Sequence, residues 1–129
     1  MILLKPLLLV GLGGFLGSIS RYGIHLLLSS RSLAAFPWGT FTVNILGCLV
    51  IGLLVGLETR SPLMTDPWKL LLITGFCGGF TTFSTYSIES LGLLQQQQYA
   101  TFLAYAGGSL VVGLLATYLG YMTIRSILY

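Results

Sequence analysis

Thr74-Gly75-Phe76-Cys77-Gly78-Gly79-Phe80-Thr81-Thr82-Phe83-Ser84-Thr85-Tyr86-Ser87-Ile88-Glu89 is the stretch on which the fold turns. It lies inside an apolar segment, residues 68–94, that is long enough to cross a bilayer as a helix. Yet it is rich in glycine and hydroxyls where a lipid-facing helix should be apolar. Three glycines within five positions, followed by Thr81 and Thr82, predict a helix break near the bilayer middle. Glycine weakens a helix and tolerates unusual backbone angles. Irregular backbone at that depth is tolerated only where it is buried in protein or lines a cavity. Freed carbonyls there can bind a cation, and freed N–H groups at the next helix start can face an anion. Past the break, Thr82, Ser84, Thr85 and Ser87 make a hydroxyl-rich helix. One such hydroxyl ordinarily bonds back to its own preceding turn. A cluster of them beside a glycine-rich break instead marks an ion pathway.

Working outward, the chain has 129 residues, enough for a single domain, 1–129. Hydrophobic residues make up 55%, only 7% are charged, and the mean hydropathy is +0.93. A chain this small has too little interior to hide that much apolar surface from water, so lipid must be its solvent. Three further apolar segments, 2–28, 39–57 and 100–128, flank the one quoted, giving an all-α membrane protein with four transmembrane helices. The N-terminal leucine run resembles a signal peptide, but it continues without a small-residue cleavage site and reads as a retained helix. The breaker-rich connections are too short for a soluble domain. Lys5, Arg21, Arg31, Arg60, Lys69 and Arg125 are scattered singly, which excludes a nucleic-acid surface. Four crossings place Lys5, Arg60, Lys69 and Arg125 on one side and Arg31, with Arg21, on the other. This is a weak orientation bias. Gly13 with Gly17, Gly52 with Gly56 and Gly75 with Gly79 have the spacing that lets membrane helices approach closely. Four short helices have little interior of their own, so a partner subunit is expected, although packing within one subunit accounts for much of the glycine.

Asn44 lies within Gly39-Thr40-Phe41-Thr42-Val43-Asn44-Ile45-Leu46-Gly47. An amide inside a membrane helix must find a partner, and it can join helices or donate to an anion. Arg21 follows Gly14-Phe15-Leu16-Gly17-Ser18-Ile19-Ser20 and is either a snorkelling interfacial cation or a vestibule charge that draws anions. Glu89 is likewise a helix-end charge or a vestibule residue. His25 is isolated and has no assigned role. Cys48 and Cys77 lie in apolar runs without metal-ligand spacing and read as small packing residues.

Gly78 through Glu89 looks like the third-helix signature of the Fluc (CrcB-type) fluoride channels. Gly39-Thr40 through Val43-Asn44 resembles their second-helix motif, and Gly13-Gly14 through Ser20-Arg21-Tyr22 resembles their first. Order, spacing, length and segment count all agree across essentially the whole chain. The resemblance implies passive export of fluoride across the cell inner membrane by an antiparallel, dual-topology homodimer with two pores. It implies a structural sodium ion at the dimer centre, held by the backbone carbonyls of Gly78 and Thr81 from both copies. By the same resemblance the fluoride pore is lined by Asn44, Phe83, Ser84, Thr85, Tyr86, Tyr105 and Ser109, with Arg21 and Glu89 at the vestibule. The implied partners are fluoride, membrane lipid and the second copy, with no nucleic acid and no organic cofactor. Two departures stand out. Tyr86 replaces the family's second pore phenylalanine, and Gly113 stands where some relatives carry serine.

Enzyme chemistry finds no support: nucleophile–base pairing, a metal cluster and paired carboxylates are all missing from the sequence. A proton-coupled four-helix exporter of the small multidrug-resistance type needs a carboxylate deep in its first segment, which carries no Asp or Glu. An assembly subunit of a larger membrane complex is the alternative from another class. It would pass no ions on its own.

Overall fold

The computed structural model describes residues 4–29, 36–62 and 64–128, and all regular structure among them is helical. The start of the first segment (residues 2 and 3), Arg31 and the Arg60 side chain lie outside the described residues. Helix α1 spans Leu4–Ser29 and α2 spans Trp38–Arg60. Helix α3 covers 66–80. A single turn, Asp66–Trp68, leads into a wide π-helical stretch, Lys69–Cys77, and then a closing turn, Gly78–Phe80. Helix α4 spans Phe83–Gln95 and α5 spans Tyr99–Ile127. Helices α1, α2 and α5 are each long and apolar enough to cross a membrane. Large apolar side chains such as Leu8, Phe15, Leu103 and Leu114 point outward from α1 and α5. That pattern suits a multi-pass membrane protein, whose outer surface faces hydrocarbon.

The third sequence segment is two helices. Thr81 and Thr82 have extended backbone (φ −80°, ψ 158° and φ −148°, ψ 122°), so the helix stops at Phe80 and restarts at Phe83. The glycines are not what bends the chain. Gly75, Gly78 and Gly79 all lie inside helical turns, and no described glycine has positive φ. Their role is close packing. Gly13 and Gly17 on α1 face Gly75 and Gly79 on α3. A Cβ on Gly13 would collide with the Leu71 carbonyl oxygen and lie 2.9 Å from Gly75 Cα. A Cβ on Gly79 would lie 2.5 Å from the Gly14 carbonyl oxygen. Gly52 and Gly120 bring α2 against α5 in the same way, meeting the backbone of Thr117 and of Leu49. The small-residue pairs are therefore used within the chain, and they do not by themselves call for a second copy.

Other boundaries move by a turn or less. Helix α2 starts at Trp38 and runs on to Arg60, and α5 ends at Ile127. At the end of the molecule where α2 stops and α3 begins, Lys69 Nζ pairs with Glu58 Oε1 at 3.0 Å and Asp66 Oδ1 at 3.5 Å. Asp66 is exposed and Lys69 and Glu58 are partly so, and the bridges therefore add little stability and mainly keep the charges together at the edge of the apolar body. The small core between the helices holds Val43, Cys77, Phe80, Leu93 and Tyr105. Phe76 stacks on Phe80, with ring centroids 5.5 Å apart.

The glycine seam yields a paired test. Gly13→Val should destabilise the protein by roughly 1–3 kcal/mol, as overpacking does. Gly11→Val, where a Cβ meets nothing within 4 Å, should leave it unchanged. The thermal unfolding midpoint in detergent, read alongside gel-filtration behaviour, checks both.

Candidate ion-conduction site

The interruption at Thr81–Thr82 frees backbone groups that need partners. Asn44, in the first third of α2, supplies two. Its Oδ1 accepts from the Thr82 N–H at 2.8 Å, and its Nδ2 donates to the Thr82 carbonyl at 3.0 Å. One amide thus mimics the pairing of a second backbone strand and splices α2 to the break. Of the two roles open to Asn44, joining helices is the one seen here. Its Nδ2 carries a second hydrogen not used in that bond. Thr82 also caps α4, its Oγ1 accepting from the Thr85 N–H at 3.3 Å. Such a cap satisfies one of the orphan donors at a helix start.

The Gly78 carbonyl is freed by the same arrangement. In a continuous α-helix it would accept from the Thr82 N–H, which Asn44 has taken. Thr81 Oγ1 donates back to the Cys77 carbonyl at 2.9 Å, so its hydroxyl is turned into its own helix. Gly78 and Thr81 line a cavity of about 450 Å³ together with Asn44, Cys48, Cys77 and Phe83. Nothing lies within 4 Å of where a Gly78 Cβ would sit. Carbonyl oxygens beside open space are suitable ligands for a hard cation, so these residues fit the ion the resemblance assigns to them.

On the other side of Thr82 lies a second cavity, about 280 Å³, lined by Ser18, Arg21, His25, Thr40, Val43 and Thr85 among others. Thr82 belongs to both walls. Arg21 therefore faces a hollow that reaches the break at Thr82, and its Nε is buried without a hydrogen-bond partner. Ser84 is exposed, with its Oγ 3.3 Å from Thr82 Oγ1. Ser87 donates to the Phe83 carbonyl at 2.8 Å and is satisfied within its own helix.

Glu89 is no loose surface charge. Its Oε1 accepts from Thr40 Oγ1 at 2.9 Å and its Oε2 accepts from Tyr105 OH at 2.7 Å. The carboxylate therefore ties α4 to α2 and α5. Tyr105 is 0% exposed, and its ring lies between Tyr86 (centroids 5.2 Å apart) and Phe36 (5.5 Å). Phe83 contacts Tyr86 at 5.5 Å yet is 78% exposed. Ser109, one turn beyond Tyr105, has a buried Oγ without a partner. Gly113 is buried, and a Cβ there would lie 3.3 Å from Cys48 Sγ, so the thiol fills the space a serine would use.

All of the expected residues but Ser84 and Ser109 thus fall into three neighbouring groups. Gly78, Thr81, Asn44 and Phe83 share one cavity, and Arg21 and Thr85 share the other. Tyr86, Tyr105 and Glu89 form the connected cluster behind them. Sequence reading missed Thr40 as a partner of Glu89 and His25 as a lining residue. Thr40 stood inside a quoted motif, but a bond across 49 residues leaves no local pattern.

The Asn44 splice can be tested on stability alone. Asn44→Leu leaves the Thr82 N–H and carbonyl without their partner, at about 1–3 kcal/mol for each group that stays unsatisfied. The thermal midpoint should fall well below wild type. Asn44→Asp keeps an acceptor for the N–H, removes the donor and adds a charge, so it should also fall. Wild-type midpoints in both would show that the amide does not hold the break.

Residues 8–121 match the family described as CrcB-like protein, Camphor Resistance (CrcB). The chain is also similar to proteins named fluoride-specific ion channel FluC. One from Nitratidesulfovibrio vulgaris is 46% identical over 123 residues, 95% of this chain and 98% of that one. One from Phocaeicola vulgatus is 48% identical over 117 residues, 91% and 96% of the two chains. One from Chlorobium phaeobacteroides is 49% identical over 113 residues, 88% and 87%. The break, its Asn44 splice and the Arg21 cavity all fall inside the matched region, and a match of this extent makes the protein a member of the CrcB-like family.

Proposed function

We propose that the chain is a fluoride-selective channel, and not an enzyme, that lets cytoplasmic fluoride leave passively across a bacterial-type inner membrane and so protects against its toxicity. Two copies inserted in opposite orientations form the conducting unit, with two separate pores. The third segment crosses the bilayer as a fourth span, with its interruption near the membrane centre. The observation that carries this reading is the interrupted helix, spliced by Asn44 and opening on an Arg21-lined hollow, in a chain nearly half identical to proteins named as fluoride channels.

Fluoride is compact and strongly hydrated, so a pore must replace the hydrogen bonds of water. Hydroxyls on Ser84, Thr85 and Ser109, and the remaining amide hydrogen of Asn44, are donors of the right kind, whereas the single O–H of Tyr105 is given to Glu89 and leaves its ring to wall the path. The ring edges of Phe83 and Tyr86 carry partial positive charge and can also face an anion. Few, strong, closely set donors favour fluoride over the larger chloride. Arg21 raises the local anion concentration at the entrance. Glu89 orients Thr40 and Tyr105 through its two hydrogen bonds.

Thr74, Gly78, Phe83 and Ser84 are exposed on the single chain. Lipid is a poor neighbour for that mixture of hydroxyls and open backbone. A second antiparallel copy covers it and brings two further carbonyls, from its own Gly78 and Thr81, to the same place. Sodium bound there supplies a fixed positive charge that offsets part of the cost of anions nearby.

Efflux from liposomes holding only the purified protein, followed with fluoride and chloride electrodes, tests the reading. Rapid fluoride release without chloride release is expected. Phe83→Ile should cut fluoride release by about tenfold or more, the effect of removing ~1.4 kcal/mol of stabilisation along the path. Well-folded protein that passes no fluoride overturns the reading and favours an assembly subunit, and protein that passes chloride equally overturns fluoride selectivity.

A further inference from the structure

The entrance cavity holds a side chain that the channel reading leaves unused. His25 follows Arg21 by four residues on α1, so the two share a face of the helix. Both line the same 280 Å³ hollow with Thr40, Thr82 and Thr85. The ring has a seat. A Cβ on Gly39 would lie 2.6 Å from His25 Nδ1 and 3.4 Å from two ring carbons, so the imidazole lies directly against the backbone at the start of α2. Glycine at 39 is what admits it. Among the described residues no hydrogen bond engages either His25 ring nitrogen, and Arg21 Nε is also unpartnered.

The surrounding charges are few. Arg21 and Tyr22 flank His25 on α1. The first turn of α2, against which the ring packs, offers Gly39 and the Thr40 hydroxyl and no titratable group. Glu89 approaches from α4 through Thr40, and its oxygens already accept from Thr40 and Tyr105.

We infer that His25 is a second anion-capturing side chain at this mouth, taking a small inorganic anion from water together with Arg21 and passing it toward Thr82 and Thr85. The inference rests on the channel reading for the identity of that anion, fluoride. Histidine changes charge between about pH 5 and 8, which makes capture stronger on the acidic side. Neutral, the ring offers one N–H; charged, it offers two donors and a full positive charge beside Arg21.

The test is fluoride efflux from liposomes at fluoride well below saturation, with the same pH on both sides and protein-free liposomes subtracting passive leak of the protonated acid. Wild type should conduct about two- to fivefold faster near pH 6 than near pH 8, and the gain should shrink at high salt. His25→Gln should lose the pH dependence, releasing fluoride near pH 6 no faster than near pH 8. His25→Lys, with a fixed charge, should be fast at both pH values. Gly39→Ala, which displaces the ring, should flatten the profile with His25 still present. Conducting wild type and His25→Gln with the same pH profile overturn this inference and leave the channel reading standing. Wild type that passes no fluoride at any pH overturns both.

Discussion

Two backbone groups of one residue, the N–H and carbonyl of Thr82, set the terms for the rest of this protein. The helix that should carry them is interrupted, and in a membrane the ordinary remedy, water, is scarce. Asn44 answers with a single side chain that accepts from one group and donates to the other. Without that amide the extended link between α3 and α4 would hold unpaired polar atoms, and a continuous helix would be favoured. With it, the break can persist, and the Gly78 and Thr81 carbonyls remain available for other partners.

The supporting structure serves that break. Glycines at 13, 17, 75 and 79 let α1 and α3 meet backbone to backbone, which fixes where α3 ends. The Thr82 cap fixes where α4 begins. Tyr105, held between Phe36 and Tyr86, anchors the Glu89 carboxylate and with it the far half of α4. The result is a polar seam through an otherwise apolar body, with a cavity on either side of Thr82. A rigid seam of this kind can replace part of an ion's hydration without rearranging at each passage.

The sequence showed the location of the break but gave the wrong reason for it. Clustered glycines suggested strained backbone angles, whereas the glycines are helical and two threonines adopt the extended geometry. The small-residue spacing was legible because i, i+4 periodicity is a local property, and packing within one subunit was one of the two uses it left open. Asn44 stood out as an amide in an apolar run. Its partner, 38 residues away, could be known only from the fold. Glu89 read as a helix-end charge or a vestibule residue, and its anchoring role was hidden for the same reason: its donors come from two other helices. The widening of α3 to π geometry over Lys69–Cys77 leaves no pattern in composition at all. Membrane class needed only length and hydropathy, which is why it was the easiest reading.

Amide hydrogen exchange across residues 78–85, followed by mass spectrometry in wild type and Asn44→Leu, tests the central claim most directly. The account predicts that this segment is protected in wild type and exchanges much faster in the variant, while α1, α2 and α5 keep their protection. Equal protection of the segment in both proteins would contradict it, because the break would then be held by something other than Asn44.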